Sequence, residues 1–113
     1  MTRRFTVAFL GLALALALIP KVSLAAEDHL AEAISHTKEA IAEGKAGKAD
    51  GVVTHAEAAL KHADAAEKAK ANPHTEQGIT HLKAAIGEGK KKDAKAATGH
   101  AEEALTHLEA AQK

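Results

Sequence analysis

Three features of the sequence predict an all-α fold, an up-down-up-down four-helix bundle made of two duplicated helical hairpins. Apolar residues recur at helical spacing in four segments, short breaks rich in Gly, Lys and Pro separate those segments, and a shift of 45 residues lays the second half of the chain on the first. Short breaks make consecutive helices antiparallel neighbours, and four helices closing on one apolar stripe form such a bundle. A chain of 113 residues is one domain at most.

The first 25 residues are expected to lie outside that bundle. Arg3 and Arg4 supply a positive start, the run from Val7 to Ile19 is apolar, and Ser23-Leu24-Ala25 offers the small residues that a signal peptidase reads. The apolar run ends at Pro20 and Lys21, short of the roughly 20 residues needed to span a bilayer. The expectation is therefore a secretory signal peptide over residues 1–25, cleaved after Ala25, with export and no membrane attachment afterwards. A cut one residue later would leave Glu27-Asp28-His29 at the N-terminus, where a free amine, two amides and a third-position imidazole suit square-planar Cu(II) or Ni(II).

The remaining residues, 26–113, divide into a first repeat at 27–71 and a second at 72–113. The first helix is expected over about 27–43, with Leu30, Ile34 and Ile41 on one stripe and Gly44 as its stop. A second begins near Asp50 and runs to about Ala71, carrying Val52, Val53, Leu60 and many alanines. Asn72-Pro73 ends it and caps the third, which carries Ile79, Leu82 and Ile86 and stops at Gly89. Lys90 to Lys92 form a solvated turn, and Asp93 caps a fourth helix with Leu105 and Leu108. Residues 26–113 contain eleven large apolar side chains, so the core is thin and alanines let the helix axes approach closely.

The histidines carry the chemistry. All eight fall in four frames of the same spacing, His29 and His36, His55 and His62, His74 and His81, His100 and His107, with Ile or Leu two residues before the second. Seven residues are close to two helical turns, so each pair lies on one stripe about 10.5 Å apart and cannot share one ion. At 100° per residue the histidines stand about 110–140° from the apolar stripe, on the flank that an antiparallel neighbour faces. The residue numbers of His36 and His55, like those of His29 and His62, are symmetric about 45.5; those of His81 and His100, and of His74 and His107, are symmetric about 90.5. Both centres fall in hairpin turns. Pairing across each hairpin is therefore expected, and two imidazoles reaching between axes about 8–10 Å apart can hold one ion.

Glu32 lies between His29 and His36 at three and four residues, and Glu103 lies likewise between His100 and His107, so each carboxylate is expected to complete a site on its own helix. Gln77 and Ala58 stand at the equivalent places in the other two helices. Imidazole and carboxylate without sulfur suit Cu(II) foremost, then Ni(II) and Zn(II). The candidate metal ligands are thus His29, His36, His55, His62, His74, His81, His100, His107, Glu32 and Glu103. The other reading is an exported structural or interaction bundle whose histidines are solvated or respond only to pH.

Composition excludes several function classes. Without residues 1–25 the 15 basic residues become 12 against 15 acidic ones, and no aromatic residue follows Phe9, so no nucleic-acid partner is expected. Cysteine is absent, which removes disulfides, haem attachment and thiol catalysis. No histidine has Glu three residues before it, as a di-iron bundle requires. No convergent nucleophile and base argue for an enzyme. The expected partners are metal ions, and the expected state is a monomer.

Heptad-spaced histidines in a cysteine-free helical hairpin repeat rich in Ala, Glu and Lys, behind a signal peptide, resemble the small metal-binding protein family from the periplasm of ammonia-oxidising bacteria. The resemblance covers His29 to His107. It implies a four-helix bundle that binds several divalent ions, copper foremost, as a buffer or scavenger, with the eight histidines as the matching positions.

Overall fold

The structure is a computed structural model that describes residues 25–113, so the expected signal peptide lies almost wholly outside the described residues. Four helices follow in order: α1 over residues 25–45, α2 over Ala49–Ala69, α3 over Pro73–Lys90 and α4 over Ala94–Ala111. No strand occurs among the described residues. None of their helices is long and apolar enough to cross a membrane.

The two hairpin turns are built alike. After α1, Lys48 N–H donates to the Glu43 carbonyl at 2.9 Å and Gly47 N–H to the Gly44 carbonyl at 3.0 Å, with Gly47 at φ 79°. This is the Schellman arrangement, which satisfies the last helical carbonyls and needs a left-handed residue just past the helix. Forty-five residues later Asp93 N–H donates to the Glu88 carbonyl and Lys92 N–H to the Gly89 carbonyl, each at 3.0 Å, with Lys92 at φ 67°. Lysine accepts there a conformation costing about 1 kcal/mol. The stops expected at Gly44 and Gly89 are therefore corrected: both glycines sit inside their helices, and the chain turns three residues later.

The other helix ends follow the sequence. The Asn72 side chain accepts from His74 N–H at 2.8 Å, and the Asp93 carboxylate from Ala96 N–H at 3.0 Å. Lys48 precedes α2 without a side-chain cap, and Asp50 lies in the first turn, where a negative charge complements the helix dipole. The helix α2 ends at Ala69, short of the expected Ala71.

Small residues fill the centre. Ala33, Ala40, Ala56, Ala59, Ala63, Ala85, Ala97, Ala101 and Ala104 are wholly buried, together with Val52, Leu82, Leu108 and Thr37. The Thr37 hydroxyl donates to the Ala33 carbonyl at 2.7 Å, so its burial leaves no open hydrogen bond. Of the eleven large apolar residues, Val53, Leu60, Ile79, Ile86 and Leu105 are only partly buried, and the last four pack at the rim of the core. Alanine brings the axes too close for larger side chains between them, which pushes those four to the seams.

The hairpins pack on each other with the symmetry of the repeat. A Cβ placed on Gly44 of α1 would collide with the Thr98 hydroxyl of α4, and one on Gly89 of α3 would stand 2.6 Å from Val53 Cγ2 of α2. Thr98 is the 45-residue counterpart of Val53, as Gly89 is of Gly44. Each hairpin thus offers a glycine near its turn to the other hairpin's second helix, and all four neighbouring helix pairs run antiparallel.

Gly44→Ala should destabilise the fold by about 1–3 kcal/mol through overpacking, although alanine is the better helix former. Gly87, inside α3 with nothing within 4 Å of an added Cβ, should respond the opposite way, and Gly87→Ala should stabilise by up to about 1 kcal/mol. Urea denaturation of both variants checks the contrast.

Candidate metal centre

The hairpin turns decide which histidines meet. His29 and His62 come together across α1 and α2 with ring centroids 5.5 Å apart and their Nδ1 atoms at 3.2 Å, so one ring donates and the other accepts. The His36 and His55 centroids are 6.2 Å apart. Across α3 and α4, His74 meets His107 at 6.2 Å and His81 meets His100 at 6.0 Å. All four symmetric pairs are in contact.

Two further contacts join these pairs. His36 also stacks on His62 at 5.7 Å with ring planes 8° apart, and His81 on His107 at 5.4 Å and 4°. Rings two turns apart on one helix leave a gap of about 10 Å, and a ring from the facing helix enters it. Each hairpin therefore carries an interleaved column, His29-His62-His36-His55 in the first and His74-His107-His81-His100 in the second. The spacing of about 10.5 Å already held this signal, because a stripe that meets its equivalent in antiparallel sense must stagger.

Each carboxylate joins an imidazole of its own helix to one of the facing helix. Glu32 groups with His36 and His62, not with His29 and His36, and its carboxylate lies 4.0 Å from His36 Nε2. Glu103 groups with His81 and His100, not with His100 and His107, at 3.8 Å from His81 Nε2 and 3.9 Å from His100 Nδ1. The facing imidazole joins for a simple reason: a flank side chain leans toward the neighbouring helix, so the nearest imidazole there is as close as one on its own stripe.

Glu39 is a member that the sequence reading missed. It stands 3.1 Å from His36 Nδ1 and 3.8 Å from His55 Nδ1, and it completes a third group with those two residues. Its spacing of three residues after His36, on the side facing His55, was the available signal. The second hairpin has Ala84 at the equivalent position and Gln77 at that of Glu32, while Glu103 is matched by Ala58 in the first. His29, His74 and His107 belong to none of the three groups.

The donor set fits a divalent transition ion. Within each group the three ligand atoms lie within 4.8 Å of one another. Ligands about 2.1 Å from a metal stand about 3.4 Å apart in a tetrahedron and about 4.2 Å apart across a square plane. Small rotations of half-exposed side chains close that gap, since Glu32, Glu39 and Glu103 are 59%, 51% and 59% exposed.

Two atoms make the fit specific. His36 Nδ1 and His100 Nδ1 are buried and have no hydrogen-bond partner, although a carboxylate oxygen stands 3.1 Å from the first and 3.9 Å from the second. An ion bound to the lone pair of such a nitrogen gives it the partner it lacks.

Comparison with known proteins agrees with this donor set. No individually curated protein matches the chain. Residues 4–111 match the family described as small metal-binding protein, so the chain, with its two columns of imidazoles flanked by carboxylates, belongs to the small metal-binding protein family.

Proposed function

We propose that the protein sequesters or buffers divalent transition metals, Cu(II) foremost with Ni(II) and Zn(II) as weaker competitors, through histidines paired across each hairpin. The observation that carries this reading is the pair of orphaned nitrogens, His36 Nδ1 and His100 Nδ1, each beside a carboxylate and a second imidazole from the facing helix. Imidazole and carboxylate donors without thiolate favour Cu(II) over Cu(I), and at equal geometry copper leads the divalent series. The chain acts as a binder rather than an enzyme, and its cargo is the ion.

Metal bridging α1 to α2, or α3 to α4, binds the folded chain alone. Binding is then folding free energy, about 2.7 kcal/mol when free ion stands at a hundredfold its Kd, or roughly 10 °C or more in Tm for a domain this small. Calorimetric titration with Cu(II) at neutral pH should show binding tighter than free imidazole gives, and melting curves should rise with the metal. Protons compete for the same lone pairs, so the gain should fade as the solution is acidified. Absent heat and unchanged melting would leave a structural bundle whose histidines hold no ion.

We further propose that the chain works in the periplasm, exported by residues 1–25. The support is the arginine pair, the apolar run and the small residues at Ser23 and Ala25. Intact mass of the exported protein should correspond to a chain beginning at Ala26, with His29 kept in the column beside His62. A mass that retains residues 1–25 would contradict export by cleavage, and a chain beginning at Glu27 would instead place His29 third.

A further inference from the structure

The two hairpins differ in how their ligand groups overlap. In the second, His81 Nε2 and His100 Nδ1 address the same Glu103 carboxylate, and one group results. In the first, two groups overlap at a single residue: His36 belongs both to the set with Glu32 and His62 and to the set with Glu39 and His55. Its two ring nitrogens face opposite ways, Nε2 toward Glu32 at 4.0 Å and Nδ1 toward Glu39 at 3.1 Å.

A neutral imidazole has one lone pair and one N–H. With an ion on Nε2, beside Glu32 and His62, the proton resides on Nδ1, where the exposed Glu39 carboxylate can accept it after a small rotation. With the ion on Nδ1, beside Glu39 and His55, the proton resides on Nε2 and Glu32 can accept. A carboxylate that holds the far N–H of a ligating histidine raises its basicity and fixes its tautomer. Each carboxylate therefore has two roles, ligand in one state and hydrogen-bond acceptor from the far N–H in the other.

We propose that His36 is a ligand shared by two mutually exclusive ion positions, so that the first hairpin holds one ion at a time and passes it between His62 and His55. The proposal rests on the metal-binding reading above. Passage moves one proton as well: water takes it from one His36 nitrogen and returns it to the other, and the net charge stays the same. The stacked column keeps the two positions within one ring of each other, since His36 touches both His62 and His55.

Exclusive positions leave a distinct count. The full chain carrying His74→Gln, His81→Gln, His100→Gln and His107→Gln retains only the first column, and circular dichroism checks that it stays helical. Titration of that chain with Cu(II) alone, and separately with Zn(II) alone, should give one ion per chain. Glu32→Gln or Glu39→Gln in that background should keep the single ion, each weakening it by about twofold if the positions are equally occupied. His36→Gln, which removes both positions, should weaken it far more than His55→Gln or His62→Gln. In the otherwise unaltered chain, His36→Gln should lower the ion count by one and neither glutamate variant should lower it.

Two ions in the first column, or an exchange-coupled copper pair by electron paramagnetic resonance, would overturn sharing, as would loss of the ion in either single glutamate variant. If the unaltered chain binds no ion, the metal-binding reading fails, and sharing fails with it.

Discussion

Register across the two hairpin turns is the constraint on which the rest depends. A helix fixes where its own histidines point, but only the turn decides which residue of the next helix stands opposite. The Schellman bonds from Lys48 and Gly47, repeated at Asp93 and Lys92, place both turns at the same point of the repeat. His36 then meets His55, and His81 meets His100, with no further adjustment. One residue added to either turn would turn the partner's flank by 100° and separate the rings. That the second turn tolerates left-handed lysine indicates that the geometry is imposed by the hairpin as a whole and not by glycine alone.

Close axes are the second requirement, and the alanine core meets it. Imidazoles reach only a few ångströms from their backbone, so rings from two helices can stack near 6 Å only where the helices nearly touch. Wholly buried alanines on all four helices permit that approach, while Gly44 and Gly89 let the two hairpins close on each other. The cost is a core with little apolar area. The same gain from an ion that ties two helices together is a larger share of this bundle's stability than of a well-filled one's. The chemistry of the flank and the thinness of the core belong to one design.

Much of this was legible in the sequence. The four helices, the Asn72 and Asp93 caps and the four histidine pairs follow from periodicity and from residue sums that centre on the turns. What escaped were relations that depend on distance between helices. The contact of His36 with His62 needs the stagger of two facing stripes, and the membership of Glu39 needs the lean of a flank side chain toward His55. Gly44 and Gly89 resemble helix stops in sequence; only the approach of Thr98 and Val53 shows that they are packing positions. Leu60 and Leu105 read as core, yet the alanine-spaced axes leave them at the rim.

Duplication copied the histidines faithfully and let the carboxylates diverge, with Glu32 and Glu39 in one hairpin and Glu103 in the other. The central claim is that an ion joins rings from two helices of one hairpin. Nitrogen-15 spectra of the imidazoles during addition of Zn(II), an ion without unpaired electrons, observe it ring by ring. The first equivalents should perturb His36, His55 and His62 together, and His81 with His100, while the exposed His74 changes last. Perturbation that begins at His74 and follows solvent exposure, or that stays on the rings of a single helix, would contradict it.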